Sequence, residues 1–205
     1  MKKSILRLIK AQLVLVALCF SFVFLSVVGF SKSCEGVREN VLRMHVIANS
    51  DSKEDQALKL KVRDAILERG KELFDGSLRA QEAKARLEPK RDELIKTAQD
   101  VIKNEGYDYP VTVEVVNEYF ATRAYGEMTM PAGKYNAIKV IIGKGEGKNW
   151  WCVMFPPMCL PAAQNRTREN IDIFLDEGEA RVVKSNIKYE PRFKIVELIE
   201  EYRNK

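Results

Sequence analysis

The stretch Ile138-Lys139-Val140-Ile141-Ile142-Gly143-Lys144-Gly145-Glu146-Gly147-Lys148-Asn149-Trp150-Trp151-Cys152-Val153-Met154-Phe155-Pro156-Pro157-Met158-Cys159-Leu160 holds both tryptophans and two of the four cysteines. Two apolar runs flank a glycine-rich polar loop, the pattern of a β-hairpin with a long connection. Side chains alternate along a strand, so Ile138, Val140 and Ile142 share one face of the first run. In the second run Trp150, Cys152 and Met154 share one face, and Trp151, Val153 and Phe155 take the other. A strand that is apolar on both faces is expected at the centre of a sheet. Pro156-Pro157 ends the ladder, because proline offers no N–H. The aromatic residues are expected to fill the core.

Upstream, Val41 to Ala48 reads as another strand, with Leu42, Met44, Val46 and Ala48 on one face and Arg43, His45 and Ile47 on the other. Asn49-Ser50-Asp51-Ser52 supplies helix N-cap candidates, and Glu54 and Asp55 favour a first helical turn. Lys53 to Phe74 then carries two apolar stripes. Leu58, Val62, Ala65, Ile66 and Leu73 lie on one side and Leu60, Leu67 and Phe74 on the other, so this helix is expected between a sheet and a second helix. Lys59, Lys61, Arg63 and Asp64 fill the gaps as a solvated face. Asp75-Gly76 is the expected stop and Ser77 the cap of a following helix. Pro89 suits the first turn of another helix, which Gly106 ends. Val111 to Val116 alternates as a strand. Arg192 to Asn204 reads as a short helix with Ile195, Leu198, Ile199 and Tyr202 inward.

These elements predict an α+β fold with a mixed or largely antiparallel sheet and helices on one face, preceded by an N-terminal hydrophobic export helix. The opposite sheet face, with Arg43, His45, Thr112, Glu114 and Lys139, is expected to be half open. Residues 1–33 form a signal peptide or membrane anchor, residues 34–164 the α+β domain, and residues 165–205 a C-terminal extension.

The formal charge of +5 belongs to the N-terminus. Lys2, Lys3, Arg7, Lys10 and Lys32 all precede the first acidic residue, Glu35, and without them 29 basic residues face 29 acidic ones. A near-neutral body carries no electrostatic footprint for nucleic acid. Ala11 to Ser31 is uncharged over about 20 residues, enough to cross a hydrocarbon core. Positive charge before it orients the body outside the cytoplasm. The run is long for a signal peptide, and both a cleaved signal and an uncleaved anchor fit. Outside the cytosol disulfides persist. A Cys152–Cys159 bridge is favoured over two buried thiols, because the prolines between them turn the chain back. It would contribute on the order of 2–3 kcal/mol. Cys34 is then reduced or joined to another chain.

No catalytic residue is assigned. His45 is the single histidine. Any nucleophilic site must use it, and the alternative function, an exported hydrolase or thiol enzyme, would pair it with Cys152. No Cys/His cluster supports a metal, and no cofactor is implied. Gly143, Gly145 and Gly147 resemble a phosphate loop but precede a strand, so the helix N-terminus that would cradle phosphate is missing. The candidate partner-binding residues are Arg43 and His45, on the less apolar face, and Asn49, Ser50 and Asp51, where strand meets helix. Loops at strand ends are common binding places, and a helix N-terminus favours an acidic partner group. Capping accounts for one of the three loop residues. The loop from Gly143 to Asn149 is the next candidate surface.

Two segments carry a family likeness. The first is Leu42-Arg43-Met44-His45-Val46-Ile47-Ala48-Asn49-Ser50-Asp51, continuing through Glu54-Asp55-Gln56 and Lys59-Leu60-Lys61-Val62-Arg63-Asp64. The second is Asn149-Trp150-Trp151-Cys152-Val153-Met154-Phe155-Pro156-Pro157-Met158-Cys159. Together, in this order, they resemble the stage II sporulation protein R family over about Val41 to Leu160. The resemblance implies a protein made in the forespore and exported into the space between the forespore and mother-cell membranes. It implies a partner there, a membrane-embedded aspartic protease of the mother cell that processes the precursor of a sigma factor. It implies no chemistry of the protein's own.

Overall fold

In a computed structural model, residues 2–74, 79–159, 169–185 and 191–203 are described. The elements in chain order are α1 (Lys2–Asn40), β1 (Leu42–Ile47), α2 (Lys53–Phe74), α3 (Ala80–Leu87) and α4 (Arg91–Asn104). They continue with β2 (Val111–Phe120), β3 (Arg123–Tyr125), β4 (Met128–Met130), β5 (Gly133–Ile142) and β6 (Asn149–Phe155). Among the described residues, α5 (Glu177–Val183) and α6 (Pro191–Arg203) follow. The Asp75-Gly76 stop and the Ser77 cap lie outside the described residues.

The fold is α+β with a mixed sheet. Its order is β2-β5-β1-β6, with β1 parallel to β5 and antiparallel to β6. The expected hairpin is therefore absent: β1 is inserted between the two apolar runs, and the glycine-rich loop crosses over its end. Gly147 N–H donates to Ala48 O at 2.9 Å and Glu146 N–H to Asn49 O at 3.2 Å. Insertion gives β1, apolar on one face and buried on both, the central place. Strand β6 becomes an edge, contrary to expectation, and its two apolar faces are satisfied by layers above and below. Its outer side is occupied by the turn that follows, where Met158 N–H donates to Val153 O at 3.3 Å.

Helices α2, α3 and α4 cover one face of the sheet. Leu42, Met44 and Val46 of β1, Ile138, Val140 and Ile142 of β5, and Cys152 and Met154 of β6 meet Leu58, Val62, Ile66, Leu94, Ala98 and Ile102 there. Each large aliphatic side chain buried in this layer contributes about 1.5–3 kcal/mol. Phe155 joins this layer and not the Trp151 face, because a register shift between Leu42 and Arg43 breaks the alternation at the end of β6.

The second face is not half open. The last turns of α1 bring Phe30, Cys34 and Val37 onto it, α5 adds Ala180 and Val183, and α6 adds Phe193 and Val196. Helix α1 runs unbroken across the expected boundary at residue 33, so its apolar stem and the body share one helix. Ile171, Leu175, Val182, Phe193 and Val196, within the expected C-terminal extension, supply part of this core. The stripe of α6 that faces inward is Phe193, Val196 and Glu200, while Ile195, Leu198, Ile199 and Tyr202 are exposed. Phe193 sits edge-on to Phe30 at 5.1 Å, and Glu200 meets Arg38 at 3.6 Å. Strand β2 extends beyond Val116, and the β3–β4 ribbon, which the alternation did not reveal, stands outside the main sheet.

Candidate functional site

The candidate residues separate into two places on β1. Asn49, Ser50 and Asp51 lie at its C-terminal end and tie two loops together. Ser52 is the N-cap of α2, its Oγ accepting from the Asp55 N–H at 3.1 Å. Asp55 is buried and accepts from Asn49 Nδ2 at 2.8 Å and Ser50 Oγ at 2.6 Å. Burial raises its pKa, but the bonds from Ser50, Asn49 and Tyr109 outweigh burial and hold it below the ordinary carboxylate value. The other side of Asn49 accepts from Lys144 N–H at 3.0 Å, and Asp51 Oδ1 accepts from Lys148 N–H at 2.7 Å. Capping is thus the work of Ser52, Asn49 and Asp51 hold the glycine-rich loop, and Ser50 bonds to Asp55 and Gln56 in the first turn of α2.

That loop packs tightly. Gly143 has φ of +58°, and a Cβ there would come within 2.2 Å of Asn49 Oδ1. At Gly147 a Cβ would meet the Ser50 carbonyl oxygen at 2.2 Å. Lys59, expected on a solvated face, is buried and donates to Lys148 O at 2.7 Å and Gln56 Oε1 at 2.5 Å. Burial lowers its pKa. Trp150 is exposed beside this loop, and the Arg63 guanidinium lies 4.4 Å from its ring centre.

Arg43 and His45 lie elsewhere, buried in the second core. His45 stacks on Trp151 with ring centres 3.8 Å apart. Its Nδ1 is 3.3 Å from Glu118 Oε2, and Lys139 Nζ donates to the same carboxylate at 2.6 Å. Burial lowers the His45 pKa and outweighs the hydrogen bonds with Asn149 and Glu118, so the neutral imidazole is favoured. Trp151 meets Phe120 edge-on at 4.9 Å, and Phe120 lies under Arg43. The polar face read from the sequence is a closed aromatic and charged layer. Glu118, Phe120, Tyr125 and Tyr135 complete it and escaped sequence reasoning. Only Lys139, which faces Glu114 across the antiparallel β2–β5 pair, could have signalled the cluster.

The pairing of His45 with Cys152 is not assembled. His45 faces the second core, whereas Cys152 faces the first and is disulfide-bonded to Cys159 with 5.7 Å between Cα atoms. Val153 N–H donates to Cys159 Sγ at 2.9 Å. Cys34 is buried and carries no disulfide. Among the described residues, no group of three or more His, Cys, Asp or Glu side chains is placed to hold a metal ion.

The family model for stage II sporulation protein R matches residues 38–165. The chain belongs to the stage II sporulation protein R family. A curated relative, the stage II sporulation protein R of Bacillus subtilis strain 168, is 36% identical over 123 residues, covering 60% of this chain and 55% of the relative. The chain thus spans little more than half the length of that relative. No solved structure matches. Every candidate residue, from Arg43 to Cys159, lies inside the region matched to stage II sporulation protein R. The apolar stem of α1 and helices α5 and α6 lie outside it.

Proposed function

We propose that this chain is an exported sporulation signal. It activates a membrane-embedded aspartic protease of the mother cell, which then processes the precursor of a sigma factor. The family supplies the process. The observation that carries the signalling reading is the stem of α1: the helix over Ile9–Asn40 is long and apolar enough to cross a membrane, and its residues Ala11 to Leu25 are uncharged and exposed. The same helix ends inside the second core of the body. A body held at a bilayer, in the space between the forespore and mother-cell membranes, meets a membrane-embedded receptor by diffusion in two dimensions. The surface offered to it is the end of the sheet where Asn49, Ser50 and Asp51 adjoin the loop from Gly143 to Asn149 and the exposed ring of Trp150.

The test is reconstitution. The full chain is placed in vesicles with the protease and the sigma factor precursor. Cleavage of the precursor that depends on the full chain is the expected result. Equal cleavage with and without it would overturn the proposal.

A further inference from the structure

Among the described residues, the second core holds a cation without a counter-charge. Arg43 is fully buried near the start of β1. Its guanidinium lies 4.2 Å from the ring centre of Phe120, 5.0 Å from Tyr135 and 5.5 Å from Tyr125. Nη2 donates to the Tyr125 hydroxyl. Nε and Nη1 have no acceptor among the described residues. Glu118, on this sheet face, is taken by His45 and Lys139, and Glu114, on the same face, is exposed. Buried donors without acceptors are costly, and an apolar side chain of similar volume would serve the fold as well or better.

We propose that Arg43 is the receptor for a carboxylate carried on a partner's peptide, admitted when Tyr125 swings aside; this rests on the signalling reading above. Nε and Nη2 share one edge of the planar guanidinium. The Tyr125 hydroxyl occupies half of that edge, and a carboxylate takes the whole of it with two parallel bonds. Tyr125 sits on β3, a three-residue strand outside the main sheet whose Arg123 and Ala124 are exposed. Its movement leaves the four-stranded sheet intact. A single guanidinium balances one negative charge, so a carboxylate fits and a phosphate dianion does not. The aromatic walls take the apolar flank of the carboxylate-bearing residue.

The experiment uses the full chain in detergent micelles with Trp150→Phe, so that Trp151, in contact with Phe120, reports by fluorescence. The probes are N-acetyl-phenylalanine, N-acetyl-aspartyl-phenylalaninamide and neutral N-acetyl-phenylalaninamide. Saturable quenching by a carboxylate probe, at least about tenfold tighter than by the neutral amide, is expected for charge-assisted bonds. The better of the two acids separates a terminal carboxylate from an acidic side chain. Arg43→Met should abolish the preference while melting no lower than its parent. Tyr125→Phe removes the internal acceptor and should tighten binding by about five- to tenfold, which keeps the test decisive if Arg43→Met fails to fold. Equal binding of acids and amide, or no effect of either substitution on the preference, overturns the carboxylate site. In the vesicle assay, Arg43→Met at wild-type levels should leave the precursor uncut. Normal cleavage by this variant overturns the partner contact and leaves the signalling reading standing. Failure of the wild-type chain itself to trigger cleavage overturns the signalling reading instead.

Discussion

Replacing Asp55 by alanine tests whether the loop clamp is structural. Asp55 is 5% exposed and accepts from Asn49 at 2.8 Å and Ser50 at 2.6 Å. Hydrogen bonds to a charged group contribute about 1.5–3 kcal/mol each. Both donors are only part-buried, so they regain water in the variant and the sum must be discounted. The acid also sits in the first turn of α2, where it adds about 0.3–1 kcal/mol against the helix dipole. The expected loss is about 2–4 kcal/mol, read from urea unfolding of the full chain at pH 7. The pH dependence gives a second check. The folded pKa of Asp55 lies below its unfolded value of about 3.9, so the stabilisation is complete above that pH and fades as pH falls through the lower folded value. The gap between wild type and Asp55→Ala should therefore close in acid. A double-mutant cycle with Asn49→Ala should show coupling of about 1–2 kcal/mol. A loss under about 0.5 kcal/mol, the range of an ordinary surface substitution, or a gap unchanged at low pH, would refute the clamp.

Two further outcomes follow from the cores. His45 has a lowered pKa, so the unfolded chain binds its proton first; stability should fall as pH drops below about 6.5, and thermal melts of His45→Gln across pH 5–8 should lack that component. The double substitution Cys152→Ser with Cys159→Ser should lower stability by about 2–3 kcal/mol in guanidinium unfolding, with β6 the first strand to lose amide protection in hydrogen exchange.

Local physics made much of this molecule legible in one dimension. The alternation of Leu42, Met44 and Val46 and of Ile138, Val140 and Ile142 identified the inward faces, because strand period is a property of the backbone alone. The two stripes of Lys53 to Phe74 announced a helix between two layers. The uncharged run from Ala11 to Ser31 announced an apolar stem. Tertiary structure decided what alternation cannot encode, namely which strands are neighbours. Ile138–Ile142 and Trp150–Phe155 are joined by a loop that looks like a hairpin turn, yet β1, more than 90 residues upstream, lies between them. Pairing energy is nearly the same for either partner. The choice falls to the arrangement that buries β1 on both faces. The same cause hid the site. Arg43 and His45 read as a wet face because they are polar, and they are dry because α1, α5, α6 and the β3–β4 ribbon, distant in sequence, close over them. In α6 both stripes were apolar enough to pack, and contacts with Phe30 and Arg38 selected Phe193, Val196 and Glu200. A side chain's chemistry is local, but its exposure is set by whatever the rest of the chain places over it.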